Sequence, residues 1–253
     1  MNARQILILV LIFNGCCKES RLLENGLTKN ANRVTEISIK VKYDSLENRF
    51  LDTTSITEKF YNKENQILKR IENPLVDGEI TEIEYVYDKS KLLQKEIVKM
   101  SLDTATVHYY YNDTLLSKTK SRIINSEFEF FQVTDHKYTE KNMVSEVSTS
   151  QIIIELESGD TTLNSLEVDR YNEKGQLKES QTTNFVNPGR SMKYLYKYNC
   201  GRLVESKEYN LKDSLISITT LEYILDEFDN WIERKSIKNS RLSYIKRRKI
   251  EYK

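Results

Sequence analysis

Residues that commonly carry catalysis or bind metals are scarce in this sequence. Its 253 residues include two histidines, three cysteines and one tryptophan. No cluster of cysteine, histidine or carboxylate at ligand spacing accompanies His108 or His136, so no metal site and no cofactor is predicted. The two histidines precede tyrosines at offsets of opposite parity, which predicts that they point to opposite faces of their strands.

Motifs of nucleophilic or phosphate chemistry are also missing. The seven glycines fit turns and form no phosphate-cradling pattern, and no serine lies in a nucleophile elbow. Glu155, Glu157 and Asp160 could serve as paired carboxylates or calcium ligands only with partners from elsewhere in the fold. A solvated strand face is the plain alternative. The sequence therefore predicts a non-catalytic protein, with an enzyme assembled from distant strands as an open alternative.

Charge of one sign is not in excess. Lysine and arginine number 39, and aspartate and glutamate 38, so no nucleic-acid partner is predicted. The run from Lys246 to Lys249 is interpreted as a solvated strand with two residues on each face. Hydrophobic residues make up only 38% of the chain, but their regular spacing argues against disorder.

The longest hydrophobic run, Ile6 to Phe13, has eight residues. It is too short for a membrane-spanning helix, which needs about 20 residues, and suits a secretory signal. The segment resembles a bacterial lipoprotein signal, because the small residue Gly15 precedes Cys16. That resemblance implies a signal peptide at 1–15, lipid attachment at Cys16, a polar tether at 16–30 and a single domain at 31–253. Cys200, in a predicted turn, is expected to carry a free thiol.

Apolar and polar residues alternate along most of the chain after residue 30. Residues 37–43, ISIKVKY, and residues 194–198, YLYKY, show a period of two. This period indicates strands with one buried and one wet face. The fold class predicted is all-β.

Turn signals separate these strands at regular intervals. In residues 171–177, YNEKGQL, the asparagine fits a type I turn and Gly175 fits the left-handed position of a bulged hairpin. Asn65 and Asn142 stand at the corresponding position of other copies, and Lys91 predicts a looser turn there. Copies of this motif begin at Tyr61, Tyr87, Tyr111, Tyr138, Tyr171, Tyr198 and Phe228. With a second set of turns between them, the chain is predicted to be an antiparallel meander of about 15–17 strands built from hairpin repeats.

These repeats resemble degenerate YD repeats of the RHS family, with the full motif only at 171–177. The resemblance implies a long antiparallel sheet that coils, and a location outside the cytoplasm. Nothing in the chain matches the self-cleaving core or toxin cargo of the large family members.

One apolar face of such a sheet must be buried, and sheet twist favours coiling. We expect an open or nearly closed curved sheet. An outer-membrane barrel of about 16 strands is the alternative, but Glu58, Glu167 and Asp169 interrupt the apolar faces.

The function predicted is that of a membrane-anchored lipoprotein of the cell envelope, at the outer membrane, which binds or scaffolds a protein or a glycan. The alternative is a carrier or chaperone that holds a lipid or peptide on the inner face of the sheet. Tyr194, Tyr196, Tyr198 and Trp231 are the candidate ligand-binding residues, and core packing is the alternative for each.

Overall fold

The structure is a computed structural model that describes Leu27 and residues 30–76, 78–101, 104–124 and 128–253. The predicted signal peptide at 1–15 and the predicted lipid site, Cys16, lie outside these residues, as does most of the predicted tether. No helix in the described part of the chain is long and apolar enough to cross a membrane.

The described chain forms sixteen strands and one short 3-10 helix at Pro188–Arg190. The strands are β1 Ala31–Tyr43, β2 Arg49–Tyr61, β3 Ile67–Pro74, β4 Thr81–Tyr87, β5 Leu93–Lys99, β6 Thr104–Asn112, β7 Leu115–Ile124, β8 Phe128–Tyr138, β9 Val144–Glu155, β10 Thr161–Tyr171, β11 Leu177–Asn184, β12 Met192–Asn199, β13 Arg202–Asn210, β14 Leu215–Leu225, β15 Trp231–Lys238 and β16 Arg241–Tyr252. The predicted all-β antiparallel meander of about 15–17 strands is confirmed.

The sheet is a closed barrel, not the open or nearly closed sheet that the sequence predicts. Every strand pairs with the next, and β1 pairs antiparallel with β16 in a register that includes Glu36↔Arg248 and Ile39↔Ile245. Closure satisfies the backbone groups of the two outermost strands, which an open sheet leaves unpaired. We call the pairing of β1 with β16 the seam.

The turn chemistry of the motif is confirmed. The Gly175 amide donates to the Asn172 carbonyl at 2.9 Å, and the Asn172 side chain accepts from the amides of Lys174 and Gln176. Gly175 has φ +72°. Lys91 adopts φ +66° at the same position.

The turn at Lys91 is not looser, contrary to the prediction. Its amide donates to the Asp88 carbonyl at 3.0 Å, and the Asp88 amide donates to the Leu92 carbonyl at 2.9 Å. Asp88 also accepts from the Leu92 amide with its side chain. These bonds hold the lysine in the left-handed region despite its Cβ.

Two further copies of the motif differ from expectation. Phe228 lies inside its turn, and Leu225, which pairs with Trp231, takes the place of the strand-ending tyrosine. Cys200 and Gly201 form a two-residue turn with φ +49° and +76°, as type I′ hairpins require. Cys200 is disulfide-bonded, so the prediction of a free thiol is wrong.

Tyrosine hydroxyls join neighbouring hairpins at one end of the barrel. Four of them donate to a carbonyl near the start of the preceding strand at 2.8–2.9 Å. The pairs are Tyr87 with Ile67, Tyr111 with Leu93, Tyr138 with Leu116, and Tyr223 with Leu203. We call this end, which carries the motif turns, the motif rim, and the opposite end the far rim.

The two faces of the sheet differ in chemistry. The motif tyrosines share the inner face, whereas the outer face carries ion pairs between neighbouring strands. Examples are Lys69–Glu82 and Lys99–Glu84, both at 2.7 Å, and Arg170–Glu179 at 2.6 Å. Such pairs contribute little to stability when exposed, but they give much of the outer face a charged surface.

The barrel is sparsely packed. Among the described residues, only nine hydrophobic and eight polar or charged side chains are buried. One core cluster joins Leu27, Ala31, Val34 and Tyr61 at the motif rim, and a second joins Ile39, Val41 and Ile245 on the outer face of the seam. A 16-stranded barrel is too wide for side chains to fill, which accounts for the small number of buried residues.

The two rims differ in polarity. Twenty large hydrophobic side chains are exposed in the described part of the chain, and fifteen of them lie at the far rim, including Leu46, Ile80, Phe185, Val186 and Leu215. The motif rim exposes mainly the polar turn residues of the repeats.

A candidate ligand-binding interior

Three cavities that are lined by described residues open on the inner face of the barrel. One of about 200 Å³ lies at the motif rim, one of about 260 Å³ lies near the seam, and one of about 220 Å³ lies on the opposite wall. On the inner face, Tyr223, Trp231 and Arg248 line the cavity at the motif rim. Ser38, Thr57 and Glu72 line the cavity near the seam. Ser121, Gln132 and Gln151 line the cavity on the opposite wall. The interior therefore offers partly enclosed space with polar and aromatic walls.

Tyr194 and Tyr196 form a stacked pair on this inner wall. Their ring centroids are 6.4 Å apart with an interplanar angle of 23°. The Tyr194 hydroxyl donates to Glu208 at 3.3 Å. Burial raises the pKa of the Tyr194 hydroxyl, and the Glu208 charge adds to the effect, so the phenol stays a neutral hydrogen-bond donor at physiological pH.

Carboxylates of β10 lie beside the tyrosine pair. Burial raises the pKa of Tyr196 to about 12, and the charge of Asp169 is the next contribution. One oxygen of Asp169 is buried without a hydrogen-bond partner among the described atoms. Glu167 accepts from the Ser180 hydroxyl at 3.1 Å. This wall thus combines aromatic faces with acceptor oxygens, one of which has no donor.

Tyr198 and Trp231 lie nearer the motif rim. Burial raises the pKa of Tyr198, with a contribution from Tyr223. The guanidinium of Arg248 lies 3.5 Å from the centre of the Trp231 ring, and that of Arg234 lies 5.3 Å from it. The structure therefore brings Tyr194 and Tyr196 together, and places Trp231 in a separate group with arginines. Their role as ligand-binding residues stays a prediction.

The inner face at the seam carries a group of charges that we call the seam cluster: Glu36, Lys59, Arg70, Arg234, Lys246 and Arg248. Glu36 accepts from Lys246 at 3.1 Å and from Arg248 at 3.0 Å. The side chains of Glu36 and Arg248 are only 12% and 13% exposed. Burial acts to raise the pKa of Glu36, but the charges of Lys246 and Arg248 outweigh it and lower the pKa to about 2. The carboxylate is therefore ionised at all physiological pH values.

The sequence analysis did not predict the seam cluster. It did predict correctly that the basic run from Lys246 to Lys249 places two residues on each face of its strand. Lys246 and Arg248 point inward, and Arg247 pairs with Glu233 on the outer face at 2.9 Å. The interpretation of that run as fully solvated is wrong for Arg248. Its partner Glu36 is 212 positions away in the chain, so no local pattern could have joined the two.

Lysine and arginine side chains are confined to one part of the inner face. By strand register, the inner face of β4–β14 carries the carboxylates Glu96, Glu167, Asp169 and Glu208 and, in the described residues, no lysine or arginine. The inner face of β15, β16, β1, β2 and β3 carries the cations of the seam cluster. The barrel thus has an acidic, tyrosine-rich wall and a basic wall.

The remaining candidates of the sequence do not assemble into a site. His108 is exposed and His136 is half-buried on the opposite face, as predicted. Glu155 accepts from Ser158 at the far rim and is exposed, as is Glu157. The described residues contain no group of three or more histidine, cysteine, aspartate or glutamate side chains that could hold a metal ion.

No family model matches the chain. No curated protein matches it either. Among solved structures, a porin-like protein from Bacteroides uniformis matches with a TM-score of 0.57 and 10% identity, over 87% of this chain and 98% of that one. A porin-like protein from Bacteroides vulgatus matches with a TM-score of 0.51 and 12% identity, over 89% and 99%. At these identities the likeness shows that this chain shares their fold.

Proposed function

We propose that this chain is a lipid-anchored barrel of the bacterial cell envelope that binds a glycan on its inner wall without catalysing a reaction. The observation that carries the proposal is the stacked pair Tyr194–Tyr196 beside the carboxylates of Glu208, Glu167 and Asp169 in a sparsely packed barrel. Aromatic rings offer flat apolar faces to sugar rings, and carboxylate oxygens accept hydrogen bonds from sugar hydroxyls.

An envelope location fits the names of the two similar structures, both porin-like proteins. We assign the attachment to a lipid at Cys16 and not to the strands. Ion pairs such as Lys99–Glu84 and Arg170–Glu179 lie on the outer face. A lysine or arginine facing the middle of a bilayer costs about 2–4 kcal/mol, so this outer face favours a barrel that stays in water beside the membrane.

The inner wall favours a polar ligand over the acyl chain of a lipid carrier. Ionised groups such as Glu36, Arg248 and Asp169 line it, and an apolar chain placed against them would remove their solvation without replacing it. A glycan can satisfy the same groups with its hydroxyls.

A glycan microarray probed with the purified protein tests the proposal. We expect binding to a defined set of glycans, and we expect Tyr196→Ala to weaken it about tenfold or more, as loss of a central aromatic contact does. Tyr110→Ala is the matched control, because Tyr110 is 46% exposed on the outer face of the same barrel. Failure to bind any glycan, or equal losses in the two variants, would refute the proposal.

One observation favours a second function, the docking of a protein at the far rim. Fifteen exposed hydrophobic side chains lie at that rim, and exposed apolar surface that gathers in one region marks interaction sites. The described loops of this rim carry Asp44, Glu47, Glu79, Glu157, Asp160 and Asp213 against Arg190 and Lys212. The surface is therefore apolar and acidic, and it fits a protein whose contact face is apolar and basic.

Site-specific photo-crosslinking in the cell envelope tests this second function. A crosslinker placed at Val186 on the far rim should form a covalent product with a single partner protein, through a basic and apolar segment of that partner. A crosslinker placed at Met143 on the motif rim should form no such product. Equal products from both positions, or products only with lipid, would contradict it.

A further inference from the structure

The seam cluster holds more positive charge than its own carboxylates neutralise. Its five cations face Glu36 and, on the same inner face, Glu72, which leaves a net charge of +3. Both oxygens of Glu36 are taken by Lys246 and Arg248, and Glu72 lies 3.0 Å from the Arg70 Nε. Neither Lys59 nor Arg234 forms an ion pair among the described residues.

Lys59, Arg70 and Arg234 are the cations that keep free donors. Among the described residues, no carboxylate lies within ion-pair distance of the Lys59 ammonium, and the Nε atoms of Arg70 and Arg234 are buried without a hydrogen-bond partner. Burial lowers the pKa of Lys59, and the charges of Arg248, Arg70 and Lys246 lower it further, against the opposing effect of Glu36. An added anion at this place would relieve the repulsion among these cations.

We infer that the seam cluster binds the anionic group, carboxylate or sulfate, of an acidic sugar. The inference rests on the proposed function and adds the class of glycan to it. A charge-assisted hydrogen bond to an anion is about twice as strong as a neutral one, and Lys59 and Arg234 supply such donors on the inner face.

The opposite wall explains how such a ligand is oriented. The carboxylates of β4–β14 accept hydrogen bonds from hydroxyls and repel an anionic group, while the seam cluster attracts it. An acidic glycan between the two walls therefore turns its charged group to β16, β1 and β2 and its hydroxyls to Glu167 and Asp169. The cavity of about 200 Å³ beside Arg248 gives room at this end of the seam.

Isothermal titration of the purified protein with trigalacturonate and with its fully methyl-esterified form tests the inference. The two ligands have the same rings and differ in charge. We expect the acid to bind about tenfold more tightly or better, the size expected for hydrogen bonds to a charged group. We also expect this advantage to shrink at high salt, since the interaction is between charges. A sulfated trisaccharide in a third arm distinguishes sulfate from carboxylate recognition.

Lys59→Met should abolish the advantage of the acid and leave binding of the ester unchanged. Lys69→Met is the matched control, because Lys69 lies on the outer face of the neighbouring strand in an ion pair with Glu82. Lys59→Met removes a repelled cation, so its melting temperature should equal or exceed that of the wild type, which confirms that the variant is folded.

The outcomes separate this inference from the function on which it rests. Equal binding of acid and ester, no binding of either acidic ligand, or equal effects of the two lysine substitutions would overturn the inference. Neutral glycans bound on the microarray would leave the proposed function intact in each of these cases.

Discussion

Replacing Glu36 by glutamine should destabilise the barrel in a way that depends on pH. The wild-type carboxylate lies between Lys246 and Arg248, and its pKa is lowered from 4.5 to about 2. A difference of 2.5 units at about 1.4 kcal/mol per unit amounts to about 3 kcal/mol of stability at neutral pH. Glutamine keeps the shape of the side chain but leaves Lys246 and the largely buried Arg248 without a counter-charge.

The sign follows from the direction of the shift. A carboxyl group whose pKa is lower in the folded state contributes its full stability above the unfolded pKa of about 4.5. It loses that contribution as pH falls through the folded pKa of about 2. By this linkage, the part due to Glu36 is about 3 kcal/mol at pH 6 and about 1.4 kcal/mol at pH 3. The gap between the wild type and Glu36→Gln should therefore narrow by about 2 kcal/mol over that range.

Urea denaturation followed by circular dichroism at several pH values measures this gap. Glu84→Gln is the matched control, because Glu84 pairs with Lys99 on the outer face, where the charges are exposed to water. Its effect at neutral pH should be much smaller, because water screens an exposed ion pair. A gap for Glu36→Gln that stays constant between pH 6 and pH 3, or that equals the effect of Glu84→Gln, would refute the assignment of the seam cluster to the barrel interior.

Three further predictions concern the turns, the tyrosines and the anchor. Lys91→Gly should raise the free energy of unfolding by about 0.5–1 kcal/mol in calorimetry. A lysine in the left-handed conformation carries a strain of about 1–2 kcal/mol that glycine lacks, and the larger backbone entropy that glycine loses on folding offsets part of this gain. A lower stability of the variant would contradict the turn geometry. Tyr138→Phe removes the hydroxyl that donates to the Leu116 carbonyl and should cost about 1 kcal/mol in urea denaturation, while Tyr110→Phe on the outer face should be neutral. Cys16→Ser should move the protein from the membrane to the soluble fraction; a variant that stays in the membrane fraction would exclude the lipid anchor.

The hairpins were predictable because the information for each is local. The side chain of Asn172 and the φ of Gly175 organise one turn with bonds that span at most four residues. Alternation then sets the face of each strand, which is why Tyr194 and Tyr196 were expected on one wall. Lys91 shows the limit of residue preference, because the hydrogen bonds of Asp88 impose a conformation that lysine does not favour.

Closure of the sheet and the seam cluster were not predictable from the sequence. Both depend on contacts between the two ends of the domain, such as Glu36 with Lys246, which are 210 positions apart. Sequence periodicity tells which face a residue occupies and not which distant strand it faces.

The pairing of β1 with β16 also constrains how such a protein can evolve. In an open array of repeats, duplication or deletion of one unit lengthens or shortens a ribbon and leaves the other units as they were. Here one more hairpin would widen the circumference, alter the tilt of every strand and pull Arg248 away from Glu36. Divergence in this lineage should therefore proceed by substitution and by loop insertion, with the number of hairpins held constant.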